Sequence, residues 1–348
     1  MFFKVAAFEF RYQLRQPIFW IGAFIFALLS FGLMASSNIQ IGSTDNIHKN
    51  SPFAIGRATL VFAEFYMFVV AAFVANVIVR DDETGFGGIV RATRMRKFDY
   101  LYGRFLGAFA VAAIGFLAVP FGLWLGSIAF WVDPETMGPF VARDYLYAYF
   151  VLGLPVIFLT ASLFFALTTV TRSMMWTYVG VVGLFIGGQI LSVVLGRPGL
   201  EHIAALWEPF GAGAFGAATR YWTASERNTL VPPIVGDLLW NKVIWMGVAA
   251  ALLALAYALF RYQAGAVSKR SRKAAALAVA AAPAEAFAST GPRTAPAKPV
   301  FDAAATWTQL LARTRLDAGQ VFRSPAYFVL LGLAAAALRD RFETAPAW

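Results

Sequence analysis

Charge concentrates at residues 80–105, RDDETGFGGIVRATRMRKFDYLYGRF, where ten of 26 side chains are ionised. Three acids come first (Asp81, Asp82, Glu83), then Gly85, Gly87 and Gly88, then Arg91, Arg94, Arg96 and Lys97. Nothing in that order suits bond-making chemistry. Separate blocks of acid and base on a segment that turns sharply at its glycines suit contact with a soluble partner. A loop needed only for turning would be far shorter.

Elsewhere the chemistry is sparse. The two histidines, His48 and His202, have no ligand-spaced partner, and no HExxH occurs. No lysine follows a glycine, which excludes a Walker A phosphate loop. There is no cysteine for a disulfide or a thiolate. No catalytic, cofactor-binding or metal-binding residue is therefore predicted, and no cofactor is expected. If ATP drives this protein, another chain binds it. The candidate intramembrane polar residues are Glu64 in the second apolar run and Gln189 in the fifth. Ionisable groups cost about 2.5–3.5 kcal/mol at the middle of a bilayer, so those that remain there mark ion or substrate paths. Glu64, some five residues from the outer end of its run, also fits an interfacial or helix-packed carboxylate.

The elements that carry these residues are read from composition. The chain has 348 residues, 59% hydrophobic and only 14% charged, which predicts an all-α polytopic membrane protein. Six continuous apolar runs, near 18–36, 59–79, 105–131, 145–170, 174–195 and 241–260, are long enough to span as helices. With the N-terminus inside, Lys and Arg number 20 on the inner segments and seven on the outer ones, leaving Arg339 and Arg341 unassigned. That bias satisfies the positive-inside rule and gives the net charge of +10 a meaning in orientation. A nucleic-acid partner is not expected. The first run has no small-residue cleavage site close behind it and reads as an uncleaved anchor.

Residues 2–17 form an amphipathic helix by spacing. Phe3, Ala7, Phe10 and Leu14 share one face, while Lys4, Arg11 and Arg15 line another. Such a helix fits the inner bilayer surface, with Pro17 turning the chain into the first span. The alternative is a frayed start to that span. Pro120 and Pro155 predict kinks in the third and fourth spans. Gly122-x-x-x-Gly126 and Gly183-x-x-x-Gly187 offer close helix contacts. Residues 196–240 contain a short amphipathic stretch, LEHIAALW, and an apolar one, PFGAGAFGAA. Either a dip into the outer leaflet or a folded external loop fits them. Between Ile89 and Tyr102 a short helix along the membrane is expected, with Ile89, Met95, Phe98 and Leu101 toward lipid or the spans.

Past Arg261 the composition changes. Residues 263–306 read as a flexible Ala/Pro/Lys/Arg-rich cytoplasmic linker, opened by a basic cluster at the lipid surface. A weak repeat follows: Arg15 and Pro17 in LRQPIFWIG match Arg323 and Pro325 in FRSPAYFVLLG, each before an apolar run. The second run, 326–338, is too short to span. The expected organisation is a six-span module over 1–262, the linker, and a second module begun at 307–348 and cut off.

These residues carry a resemblance. Glu83-Thr84-Gly85, Thr93 and Leu101-Tyr102-Gly103-Arg104 resemble the first cytoplasmic loop of type-2 ATP-binding-cassette exporter permeases. There an E-x-G precedes a Thr and an L-x-G-[KR] that opens the next span. Gly88 replaces a usual acid and Arg94 a usual Pro, which affects the loop's detailed shape. The resemblance covers about 1–262. It implies a non-enzymatic transport subunit in a bacterial inner membrane, N-terminus cytoplasmic. It also implies a separate cytoplasmic ATPase that engages Asp81, Asp82, Glu83, Gly85, Arg91, Thr93, Arg94 and Arg96. Pairing with a second copy or another permease half would complete the pathway. A narrower similarity, through NIQIG, HKNSPFAI, RDDETGFG, FDYLYGRFLGAF, WVDPE and ALWEPFGAGAFG, is to large two-half bacterial permeases with a C-terminal zinc aminopeptidase-like domain. On that similarity this chain would be a truncated form. An ion-coupled secondary transporter and a non-transporting membrane anchor are the rival readings.

Overall fold

The computed structural model describes residues 1–36, 39–44, 46–83, 95–195, 199–260, 307 and 309–315. Among them the fold is all-α, without a strand; one isolated bridge joins Thr44 and Ile47. Six helical segments are long and apolar enough to cross a membrane: Pro17–Ala35, Pro52–Asp81, Lys97–Ser127, Ala142–Thr171, Met174–Leu191 and Gly236–Leu259. The chain divides into two compact units, Met1–Ala264 and Gly265–Trp348. The described residues of the second, 307 and 309–315, are helical. The expected linker, 263–306, and the short run at 326–338 lie outside the described residues.

Helix α1 (Phe2–Leu14) stands apart from α2 (Pro17–Ala35) because Pro17 occupies the first position of α2. A ring at that position costs no hydrogen bond. The Trp20 indole donates to the Leu14 carbonyl at 3.0 Å, satisfying one orphan acceptor at the end of α1. Helix α3 (Pro52–Glu83) is the centre of the bundle and starts seven residues before the expected span. The third span is α4 (Lys97–Phe116) and α5 (Ala118–Ser127), which meet at Leu117. Pro120 cannot donate to the Phe116 carbonyl, so the break falls where that hydrogen bond is missing.

In the fourth span, α6 (Ala142–Tyr147) passes through a π-helical turn, Ala148–Gly153, into α7 (Leu154–Thr171), with Pro155 just inside α7. Both prolines act as expected. Helix α8 is Met174–Leu195. Two short helices, α9 (Glu201–Trp207) and α10 (Ala212–Ala218), correspond to the two stretches singled out in the outer segment. Helix α11 (Ala224–Thr229) precedes α12 (Gly236–Leu259).

Burial follows composition. Tyr66, Phe116, Phe164, Phe165 and Leu123 fill the space between α3, α4, α5 and α7. Two tyrosine tips in this core are satisfied: Tyr66 donates to Ala112 O at 3.0 Å and Tyr149 to Ala113 O at 2.8 Å. Helices α2 and α5 pack closely at Gly122 and Gly126, where a Cβ on Gly126 would lie 2.6 Å from the Phe31 carbonyl. Gly183 and Gly187, offered as a second contact, have no described atom within 4 Å of an added Cβ. Phe24, Ile25, Leu28 and Leu29 are exposed on α2, as a lipid-facing surface requires. At the end of the bundle away from α1, Phe53, Leu60, Leu152, Ala205, Phe215 and Leu238 form a second small core. The outer segment therefore folds onto the span ends as a structured cap.

Candidate functional site

The bases of α1 behave as expected: Lys4, Arg11 and Arg15 are exposed. The Phe3–Ala7–Phe10–Leu14 stripe, expected on the bilayer surface, keeps Phe3 and Ala7 exposed, and a different face turns toward the bundle. Ala6, Glu9 and Gln13 are the buried residues, while Phe3 is 77% exposed and Phe10 and Leu14 are half-buried. The packing of that second face has a geometric cause. Helix α1 crosses α4 at Gly103 and Gly107, where a Cβ would lie 2.9 Å from Val5 Cβ and 2.6 Å from the Ala6 carbonyl respectively. That close approach rotates the polar stripe inward.

There it meets charge. Glu9, wholly buried, binds Arg104 Nη1 and, at 2.8 Å, Arg80 Nη2. Gln13 donates to Glu9 Oε1 at 2.8 Å and to the Phe73 carbonyl at 3.2 Å. Arg104 uses its other nitrogen on Asp81 Oδ2 at 2.6 Å, and the Tyr100 hydroxyl donates to the same oxygen at 2.8 Å. The Arg80 guanidinium lies 4.1 Å above the Tyr12 ring. Among the described residues, two acids and two bases from three helices thus meet in one cluster. Stripping a buried base of its last carboxylate costs about 3–5 kcal/mol, and here Arg104 has two.

The cluster bounds the charged segment on both sides. Arg80 and Asp81 lie in the last turns of α3, and Arg104 lies two turns into α4. Asp82 and Glu83 end α3, whereas Gly85, Arg91, Thr93 and Arg94 lie outside the described residues. Arg96 is the exposed residue at the N-cap of α4. The expected separate helix to Tyr102 is corrected in its described part: residues 97–102 are the first turns of the third span, with Leu101 fully buried and Phe98 exposed. Lys97 sits 4.5 Å over the Tyr257 ring, and Tyr102 stacks on Tyr257 at 5.6 Å, so the start of α4 also holds the end of α12.

Glu9, Gln13, Tyr100 and Arg104 were not among the candidate site residues read from sequence. Glu9 carried a signal: it is the lone acid of α1, one helical turn before Gln13. Arg104 was visible only as the last letter of the L-x-G-R motif.

The second polar pair does come together. Gln189 of α8 donates to Glu64 Oε1 of α3 at 2.7 Å. Since α3 starts at Pro52, Glu64 lies twelve residues into it. It is about 4 Å along the axis from the middle of the segment Pro52–Asp81. The contact with Gln189 makes it a helix-packed carboxylate, one of the readings that the sequence offered. His202 contacts Asp237 at 2.9 Å and is largely exposed, and no group of three metal-ligating side chains occurs among the described residues.

A bundle of six spanning helices, apolar outside and pinned by buried charge at one end, defines a multi-pass helical membrane protein. No family model and no curated protein matches the chain.

Proposed function

We propose that the chain is the membrane-spanning permease subunit of an ATP-binding-cassette exporter in a bacterial inner membrane, N-terminus cytoplasmic, worked by a separate cytoplasmic ATPase. The observation that carries this reading is the cluster Glu9–Arg80–Arg104–Asp81 at both stems of residues 80–105. Closure of an ATPase dimer on nucleotide would push that segment. The push reaches α3 through Arg80 and Asp81, α4 through Arg104, and α1 through Glu9, so three helices tilt together. Without such ties a charged loop would bend and dissipate the displacement. A second copy, or another permease half, completes the pathway; neither nucleic acid nor a cofactor takes part.

The test is copurification from membranes, followed by ATPase activity of the reconstituted complex. A cytoplasmic ATPase should accompany the intact chain. Neutralising Asp82 with Glu83, or Arg94 with Arg96, should lower stimulated hydrolysis while leaving orientation unchanged, because two of 20 inner bases are too few to invert it. Absence of any ATPase partner overturns the proposal. Ion-coupled transport is the second reading, favoured by the mid-helix Glu64–Gln189 pair. It predicts ion-dependent transport abolished by Glu64→Gln.

A further inference from the structure

A cavity of about 310 Å³ opens between α3, the end of α8 and the 204–213 turn. Its apolar wall is made by Leu60, Val61, Leu191 and Phe210. Glu64, Glu208 and Arg57 are its charged residues. They are not equivalent. Both oxygens of Glu208 are taken, Oε1 by the amide of Phe210 at 2.8 Å and Oε2 by the amide of Gly213 at 3.1 Å. Lys242 lies near Glu208, its Nζ occupying the space that the absent side chain of Gly211 leaves. Gly211 has φ +87°, a conformation that favours glycine, so the turn and the lysine's seat are fixed together. Glu208 is a structural acceptor.

Glu64 is different. Gln189 satisfies Oε1, and Oε2 has no partner among the described residues. Arg57 sits two helical turns away, about 10 Å along α3, with its stem beside Gly42, and makes no ion pair with Glu64. One open carboxylate oxygen thus belongs to a residue that lines this largely apolar chamber. Divalent metals want several oxygen or nitrogen ligands at once, and the described residues offer no such group here. An organic ammonium needs only one carboxylate and an apolar or aromatic wall for its body. We infer that this cavity binds an ammonium-bearing amphipathic ligand, its cation on Glu64 Oε2 and its apolar part against Leu60, Val61, Leu191 and Phe210. The inference stands independently of what drives transport.

The full chain in phosphatidylcholine nanodiscs tests this with three labelled probes of one shape: benzyltrimethylammonium, its uncharged isostere neopentylbenzene, and the anionic benzylsulfonate. The ammonium should bind saturably and more tightly than either relative. Glu64→Gln keeps an oxygen for Gln189 to donate to but removes the charge. It should weaken the ammonium by roughly tenfold to a hundredfold, the range for a lost charge-assisted contact, without changing neopentylbenzene binding. Val61→Phe, which fills the chamber and leaves every charge in place, should block both. Glu64→Asp should restore part of the ammonium preference. Equal binding of the ammonium and its isostere overturns the inference. So does tighter binding of the sulfonate through Arg57, or an ammonium affinity indifferent to Glu64→Gln in a variant that still elutes as folded protein.

Discussion

Glu9→Gln keeps the shape of a side chain that is 0% exposed and removes its charge. In the parent protein that carboxylate faces Arg104, Arg80 and Gln13. After the change Arg104 keeps Asp81 and Arg80 keeps the Tyr12 ring, so neither base is stranded completely. A glutamine oxygen still accepts one donor, while its amide hydrogens turn toward a guanidinium. Charge-assisted hydrogen bonds contribute about 1.5–3 kcal/mol each, and losing one of two while weakening the other amounts to about 3 kcal/mol. Asp81→Asn removes the charge facing one base and one hydroxyl, so about 2 kcal/mol is expected. The double variant leaves Arg104 buried with no carboxylate. It should lose more than the sum of the single changes by about 1 kcal/mol or more, since both sites share one partner. The assay is reversible unfolding of the detergent-purified chain followed by tryptophan fluorescence, with Lys4→Gln on the exposed face of α1 as a control within about 0.5 kcal/mol of the parent. If Glu9→Gln behaves like Lys4→Gln, and the two cluster variants simply add, the cluster does not hold these helices together.

Gly107→Val should lift α1 from α4, because even a Cβ would lie 2.6 Å from the Ala6 carbonyl. A loss of about 1–3 kcal/mol and faster proteolysis within residues 2–14 are expected, and unchanged proteolysis would contradict the close crossing. Reporter fusions after residues 42, 138 and 215 should lie on one side of the membrane and those after 93 and 270 on the other, the latter cytoplasmic; an external reporter at 93 removes the ATPase-contact reading. At α11 the Thr223 amide and hydroxyl donate to Glu226 at 2.7 and 2.9 Å and hold its carboxyl below the usual range. A lowered folded-state value means the cap is fully present above the unfolded carboxyl's titration. It is lost as pH falls through the folded one. Amide exchange in residues 224–229 should speed up over that acidic window, and Glu226→Gln, which has no proton to gain there, should remove the pH dependence.

Much of the architecture was legible in the chain because its cause is local. A continuous apolar run must become a helix in a bilayer, since no water is present to satisfy its backbone. Pro17 and Pro120 punctuate helices wherever they occur, for want of an N–H. The limits of α3 and α4 were read too short, by seven residues at Pro52 and eight at Lys97. Asn50 and Ser51 just before α3, and Asp99 and Arg104 inside α4, lower hydropathy in a sliding reading. Hydropathy measures preference for lipid, and these polar turns are held by protein instead: Asn50 bonds Gly138, and Arg104 bonds Asp81 and Glu9.

Sequence alone determined the helical class, the six apolar runs and the short helix in LEHIAALW, and it offered Gly122–Gly126 and Gly183–Gly187 alike as close contacts, of which the first pair packs. It also named Glu64 and Gln189 separately as polar groups inside apolar runs. Only the tertiary structure decided that those two meet, that α1 turns its polar stripe inward, and that Glu9 closes a cluster with residues 71 and 95 positions away. The division has one physical reason. Backbone satisfaction and partition into lipid are set by near neighbours in the chain, whereas the partner of a buried charge is set by which helices cross and where. Gly103 and Gly107 bring α1 close enough to α4 for Glu9 to reach Arg104, and neither glycine announces its partner in the sequence.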